Sequence, residues 1–490
     1  MSISMSTPMR KGHLQAGWAT VDITPDKKVN LQGQFYERIS TGVHDPIYAT
    51  VLAIQVVEEN GTPGDQAVMI ACDLVSVSKT ILEKLRERLS GRITDLDPGK
   101  ILISAIHTHT APCIREAPLE SFNWTEWKKL SSQEYMSPAE YIEFLTGRLA
   151  EAVVAAWNNR RPAKVGMALG HAVVGHCRRV VFDDRAVMYG SPATTNFLGL
   201  EGPSDHGVEL MYFWDMDDKL TGVIINAACP AQVVEHEKVI SADYFGATRR
   251  KIKEHFGDAV QVLPQIAPAG DQSPRDLIRR GKSETIMNSF EGMEELGQRI
   301  ADACIRSYES AKKGAVSELV FGHSVEDIYL PIRKVTMGEV EQAQKEYDDL
   351  MQKYGAEDRV PGKDFVKLFN CRAVLDRKEV QEKASFYKME LHALRLGDAA
   401  FVTNPFELYI EYGLRIKARS KAKQTFAVQL SCGAGSYLPT RKAISGGSYG
   451  AGVANGIVGP EGGDLLVEHS VAAINRFWGD KGYTERTRGL

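Results

Sequence analysis

Strand-like and helix-like segments alternate along most of this 490-residue chain. An apolar run at 67–75 precedes a helical pattern over 80–89 and a second apolar run at 100–106. The same patterns recur later, with strands at 220–229, 259–267 and on both sides of 396–398, and helices at 137–157, 245–256, 292–310 and 407–419. Such alternation is typical of an α/β fold. We therefore predict mixed β-sheets layered with helices.

The chain is predicted to form one large catalytic domain over 14–480, because no Gly-, Ser- or Pro-rich linker divides it. Residues 1–13 and 481–490 are predicted to be flexible tails. The polar segment 337–384 is predicted to be a helical and loop insertion within this domain.

Charge and composition limit the binding partners and the cellular location that we expect for this chain. The net charge is −4 with both signs interleaved, so neither nucleic acid nor an anionic membrane is an expected partner. The N-terminal residues lack an apolar signal region, and no run of about eighteen apolar residues occurs, which predicts a cytoplasmic protein without a stable membrane anchor. Seven cysteines without a CxxC pair argue against a disulfide framework and a Cys-rich zinc module. An oligomer stays possible.

The strongest chemical signal is the pair His107 and His109, which follows the apolar run ending at Ile106. Residues i and i+2 of an extended segment face the same way, so both imidazoles could reach one ion or one substrate. Loops at strand ends commonly carry sites in α/β proteins. The alternative is a pair of hydrogen-bonded structural histidines.

Three further clusters carry reactive side chains. Asp271 and Ser273 lie in a predicted turn after a strand, and Glu407 lies at the start of an apparent helix. Tyr437 precedes a Gly-rich stretch at 446–450, which contains Tyr449. Taken singly, these residues are explained by an ordinary turn, by a helix-dipole interaction and by packing.

Together the clusters resemble the catalytic domain of the neutral/alkaline (non-lysosomal) ceramidase family. HTHTAP at 107–112 and GDQSP at 270–274 are the most specific elements, and the Tyr437 to Tyr449 interval also matches. The resemblance spans nearly the whole chain, from AGWATVDITP at 16–25 through GVHDP at 42–46 to GPEGGDLLVEHS at 459–470.

The resemblance implies a divalent metal, zinc in the family, held by His107, Glu407, Tyr437 and a second histidine. Cys229 occupies the slot of that histidine, and a thiolate is an accepted zinc ligand. His236 is the competing ligand. An altered or metal-free site is the third possibility.

The remaining family roles fall on five residues. His109, Arg178 and Tyr449 would bind the substrate or stabilise the oxyanion. Ser273 resembles the family's proposed nucleophile, although it could instead orient a water molecule. Asp271 would fix the turn or support the metal site.

These roles predict a metal-dependent hydrolase that attacks an amide or ester with a metal-bound water. The resemblance implies action on lipid in family members, which carry a further immunoglobulin-like domain. We expect the catalytic domain alone in this chain, and therefore a soluble small molecule such as an N-acyl compound or ester as its substrate. The aromatic stretch 120–135, with Trp124 and Trp127, also suits sugars, and a glycosidase or lyase is the alternative. A non-catalytic binding protein with a degenerate site is the third interpretation.

Overall fold

The computed structural model describes residues 11–115, 134–279 and 287–479. Within these ranges the chain forms 21 strands and nine α-helices. The strands are β1 (Lys11–Asp22), β2 (Gly42–Val43), β3 (Tyr48–Val57), β4 (Pro63–Cys72), β5 (Ile101–Ala105), β6 (Arg161–His171), β7 (His176–Cys177), β8 (Arg179–Phe182), β9 (Ala186–Met188), β10 (Phe197–Leu200), β11 (Gly207–Asp215), β12 (Leu220–Ala227), β13 (Val239–Ile240), β14 (Gln261–Ile266), β15 (Gln272–Ser273), β16 (Glu318–Pro331), β17 (Phe386–Leu396), β18 (Ala399–Thr403), β19 (Glu407–Leu408), β20 (Gln424–Val428) and β21 (Tyr437–Leu438).

The helices connect and cover these strands, so the predicted α/β class is confirmed. They are α1 (Lys79–Leu89), α2 (Pro138–Asn158), α3 (Tyr244–Phe256), α4 (Phe290–Lys313), α5 (Met337–Tyr354), α6 (Gly362–Lys383), α7 (Ile410–Arg419), α8 (Arg441–Gly446) and α9 (Pro460–Arg476).

A mixed sheet of 12 strands forms the centre of the fold. Its main path runs β14, β12, β11, β6, β1, β16, β17, β18, β20, and β3, β4 and β5 branch from β1. Three neighbouring pairs are parallel: β4 with β5, β12 with β14 and β18 with β20. All five residues of β5 are buried, as expected for a strand covered on both faces.

Helix α2 begins where the sequence predicts. Ser137 and Glu140 form a reciprocal capping box, and Pro138 occupies the first turn. The helix approaches β1 so closely that a Cβ at Gly17 would lie 2.1 Å from the carbonyl oxygen of Ala156. Only glycine fits this crossing, which explains one residue of the AGW motif.

Segment 337–384 contains two helices, α5 and α6, which pack on each other. A small apolar cluster joins them to Val453. The buried guanidinium of Arg377 donates to the carbonyl oxygens of Val453 and Gly456, close to the chain that carries Tyr449. The segment therefore supports the tyrosine-bearing loop.

Two local expectations differ from the structure. Glu407 does not begin a helix: it lies in β19, whose backbone pairs in parallel with β21, and α7 begins at Ile410. Residues 11–13 of the predicted tail belong to β1, because they pair with β16.

All seven cysteines are free and buried. Among the helices in the described ranges, none is both long and apolar enough to span a bilayer.

Candidate metal centre

The ends of four buried strands meet at one edge of the sheet. The loops that follow β5, β12, β14 and β20 are joined by backbone hydrogen bonds, among them Ala231 N to Ile106 O (3.3 Å) and Gln429 N to Ile266 O (3.0 Å). This edge brings the histidine motif close to the turn at 270–274 and to Glu407. Strand ends thus assemble side chains that are far apart in the sequence.

His107 is held in one orientation by the backbone. Its φ of 65° turns the chain sharply after β5. The sequence predicts an extended segment here, and the structure differs from that prediction. Its Nδ1 lies 2.8 Å from the carbonyl oxygen of Val75, which can only accept a hydrogen bond. Nδ1 therefore carries a proton, and Nε2 presents a lone pair when the ring is neutral or donates to Glu407 when the ring is protonated. A backbone carbonyl commonly orients a metal-binding histidine in this way.

The lone pair of His107 faces two further polar atoms. Its Nε2 lies 3.4 Å from Oε2 of Glu407 and 3.3 Å from Nε2 of His109. Two atoms that each bind zinc at 2.0–2.1 Å in a tetrahedron are roughly 3.4 Å apart. The donor set and its spacing therefore fit a zinc-type ion.

Glu407 is fixed by strand pairing. Its backbone N–H donates to Ser436 O (2.9 Å), and its register partner across the two strands is Tyr437. Burial opposes ionisation of the carboxyl, but His107, Tyr437 and Arg178 outweigh it and hold the pKa of Glu407 below its ordinary value. The group is an anion at neutral pH, as a metal ligand requires.

Arg178 and two tyrosines complete the buried cluster. One guanidinium nitrogen of Arg178 lies 3.1 Å from the hydroxyl of Tyr437 and 2.7 Å from Gly270 O. The rings of Tyr437 and Tyr449 meet edge to face, 5.4 Å apart. Burial and Glu407 raise the pKa of Tyr437 well above its ordinary value, so its hydroxyl is a donor. The cluster thus combines one cation with two phenol groups.

His109 has a separate set of partners. Its Nε2 accepts from the amide of Gln232 (2.7 Å), and its Nδ1 lies 3.5 Å from Oε2 of Glu235. Burial, His107 and Arg38 lower the pKa of His109 well below its ordinary value, so the ring is neutral. Gln232 and Glu235 were not predicted from the sequence as site residues. Their position between Cys229 and His236 is the one signal that could have identified them.

Cys229 and His236 do not join the cluster through any contact described. The Cys229 thiol lies 3.2 Å from Val174 O, and burial raises its pKa well above the ordinary value. The side chain of His236 is 56% exposed and lies 3.6 Å from Glu235. Their roles as metal ligands stay predictions.

Asp271 and Ser273 form the turn next to Arg178. The backbone N–H of Arg178 donates to Asp271 O (2.9 Å), and Oδ1 of Asp271 accepts from Ile410 N (2.9 Å) at the start of α7. Burial raises the pKa of Asp271 to about 6. The buried hydroxyl of Ser273 contacts Tyr189 OH (3.2 Å). Asp271 thus holds the turn, and the role of Ser273 as nucleophile stays a prediction.

A cavity of about 340 Å³ opens beside His107 and Glu407. Its other polar lining residues are Ser76, Ser78, Thr80, Arg115 and Ser436, and its apolar lining residues are Val75, Ile114, Pro405, Leu430 and Ala434. Trp124 and Trp127 lie outside the described residues. This volume is near the lower end of small-molecule sites, so the described walls suit a compact ligand.

The fold and this cluster define a class: a mixed α/β protein with the neutral-ceramidase fold. A neutral ceramidase from Pseudomonas aeruginosa matches with a TM-score of 0.67 and 16% identity, over 96% of this chain and 75% of that one. A second solved structure, a ceramidase complexed with C2, matches with a TM-score of 0.67 and 15% identity, over 95% of this chain and 75% of that one. No protein-family model matches the chain, and no curated protein matches its sequence.

Proposed function

We propose that the chain is a metal-dependent hydrolase that cleaves an amide or ester bond in a soluble small molecule. One observation carries the proposal: the fixed lone pair of His107 faces the ionised carboxylate of Glu407 at 3.4 Å, beside a cavity. These two atoms need a cation between them, either a proton on His107 or a divalent metal, and the metal can also bind the other donors of the cluster. The resemblance to neutral ceramidases and the shared fold support the same conclusion.

His107, Glu407 and Tyr437 would hold the ion, zinc by preference. The fourth ligand is Cys229 or His236 by the sequence argument, whereas the contacts favour His109, whose Nε2 lies 3.3 Å from that of His107. When bound, such an ion supplies hydroxide near neutral pH and polarises a carbonyl oxygen.

The remaining residues of the cluster prepare the site for a developing negative charge. Arg178 is a buried cation, and burial raises the pKa of Tyr449 to about 12, so that its hydroxyl stays a donor. Donors of this kind stabilise the oxyanion formed when a carbonyl is attacked, each by roughly 3 kcal/mol. Because Nε2 of neutral His109 accepts from Gln232, it would bind the metal, or an N–H or hydroxyl of the substrate, only in exchange for that hydrogen bond.

Elemental analysis of the purified protein tests the metal. We expect His107→Ala to lose one equivalent of zinc, and the matched control His255→Ala, which alters an exposed histidine, to retain it. Unchanged metal content in the His107 variant would overturn the proposed centre. Parallel measurements on His109→Ala, Cys229→Ala and His236→Ala decide the fourth ligand. A panel of N-acyl amides and esters then tests the reaction.

The cavity supports a second function, a carbohydrate-active enzyme. Four hydroxyl side chains line it, from Ser76, Ser78, Thr80 and Ser436. Such a wall hydrogen-bonds a polyol better than it packs a long acyl chain. Glycosides in the same panel test this alternative: turnover of a glycoside but of no amide or ester would favour it.

A further inference from the structure

We propose a second metal site, for a transition-metal ion such as Zn²⁺, formed by Glu390, His392 and Cys432. It is separate from the centre at His107 and does not depend on the function proposed above. One ligand atom from each of the three side chains lies within 4.8 Å of the others, and no other group of His, Cys or acidic residues within the described ranges does so.

The fold brings these ligands together from two chain segments. Glu390 and His392 are two residues apart on β17, so they lie on the same face of the sheet. Cys432 follows β20, and its backbone N–H donates to Ile103 O (2.9 Å). Its φ of 57° lies in the left-handed region, which is unfavourable for cysteine and tends to occur at functional positions.

The tautomer of His392 is set by a chain of hydrogen bonds. Nδ1 of His323 lies 3.0 Å from Gln66 O, a carbonyl that can only accept, so this nitrogen carries the proton of a neutral ring. Nε2 of His323 then accepts from Nδ1 of His392 (2.9 Å). In a neutral His392 ring this arrangement places the lone pair on Nε2, whereas in the absence of metal a proton on Nε2 would donate to Glu390. A second hydrogen bond that fixes a ring in this way is the usual support of a metal-binding histidine.

The lone pair of His392 faces a carboxylate. Its Nε2 lies 2.7 Å from Oε1 of Glu390, and both oxygens of Glu390 accept from Arg86 (2.7 and 3.1 Å), which keeps them ionised. Two acceptors this close need a cation between them. A proton would satisfy this pair alone, whereas a zinc-type ion also engages the Cys432 sulfur.

The ligand types select the ion. A thiolate with an imidazole and a carboxylate favours zinc and related transition metals over Mg²⁺ and Ca²⁺, which take oxygen ligands. Binding requires the 2.7 Å separation of Glu390 and His392 to widen to roughly 3.4 Å, the edge of a zinc tetrahedron. The Glu390 side chain is 25% exposed, and the widening would have to be accommodated while Arg86 holds both of its oxygens. A bound ion would tie β17 to the loop that continues to Ser436 and the cavity.

Cobalt substitution of the purified protein tests the site. Co²⁺ bound by a thiolate gives a sulfur-to-metal charge-transfer band in the near ultraviolet, which nitrogen and oxygen ligands alone do not give. We expect this band in the cobalt-loaded wild type. It should disappear in Cys432→Ser and weaken in His392→Gln. It should persist in Cys304→Ser, a matched control that removes another buried thiol, and in Glu407→Gln, which alters only the other centre.

The outcomes separate the two centres. Absence of the band from the wild type would by itself overturn the proposal. A proton between Glu390 and His392 would then explain their close contact. A band lost in Cys229→Ser but kept in Cys432→Ser would also overturn it, because the thiolate would then belong to the His107 centre. Persistence of the band in Glu407→Gln, with loss of one metal equivalent, shows that both sites exist.

Discussion

Nε2 of His107 lies 3.4 Å from Oε2 of Glu407, and the carbonyl of Val75 keeps the only proton of a neutral His107 on the opposite nitrogen. The two residues are 300 positions apart in the chain, so the fold itself brings them together. A cation between them would stabilise the folded state, because the unfolded chain does not bring these atoms together.

Zinc is therefore expected to raise the midpoint of thermal unfolding. At free zinc about 1,000-fold above Kd, one site adds about 4 kcal/mol to the free energy of unfolding. Glu407→Gln should show a smaller rise, because it removes the charged ligand. Glu411→Gln, a matched change at an exposed position in α7, should behave as the wild type. Equal zinc shifts in all three proteins would contradict this prediction.

Gly33→Ala is expected to displace His109. Gly33 has a φ of 110°, and a Cβ there would lie 2.4 Å from Cγ of the His109 ring. Since a displacement of about 1 Å can cost roughly 100-fold in rate, activity should fall by that order while the protein stays folded.

Gly61→Ala is the control for this change. Gly61 also has a positive φ, of 83°, but no atom lies within 4 Å of its added Cβ. Both variants should lose about 1–2 kcal/mol from backbone strain, and only the Gly33 variant should lose activity. A comparable loss of activity in both would show that strain, not contact with His109, is responsible.

Gln429→Leu is expected to destabilise the edge of the sheet. Oε1 of Gln429 accepts from two backbone N–H groups, those of Ala269 and Leu408, each at 3.0 Å. Leucine would leave both donors buried and unpaired, at about 1–3 kcal/mol each. Denaturant unfolding measures the loss, and Gln342→Leu, on the exposed face of α5, should change stability by less than about 0.5 kcal/mol.

Local sequence signals identified several main elements of this fold, and the resemblance to neutral ceramidases selected most of its central cluster. The capping box at Ser137 and the buried run of β5 depend on neighbouring residues, which the sequence displays directly. The structure brings together His107, His109, Glu407, Tyr437, Arg178 and Tyr449, all of which the sequence analysis selected.

The differences arise from contacts between distant segments. Glu407 reads as a helix start because apolar residues follow it at helical spacing, but pairing with a strand 30 residues later overrides that pattern. Gln429 carries no local signal, since its partners are fixed by the fold. The position of Cys229 in the chain can be matched to the family from the sequence. The direction of its thiol, towards Val174, is set by the packing of the loop and cannot.

Asp243 provides a test by pH. Its carboxyl is fully buried at the start of α3, where its oxygens accept from Tyr244 N (2.7 Å) and Val234 N (2.9 Å), and Asp45 is the facing acidic group. Burial raises its pKa from 3.8 to about 7. Between about pH 4 and 7 the folded state holds a proton that the unfolded state has released, so stability falls as pH rises through this window and is constant above it.

Asp243→Asn should remove this dependence, because Asn caps a helix about as well as Asp and tolerates the positive φ of this position. Relative to wild type, the free energy of unfolding of the variant should rise by on the order of 4 kcal/mol between pH 4 and 7, at about 1.4 kcal/mol per pKa unit. Asp217→Asn, in an exposed turn, is the control and should follow the wild-type curve. Parallel curves for wild type and Asp243→Asn would mean that Asp243 stays ionised throughout, stabilised by its two backbone donors against the cost of burial.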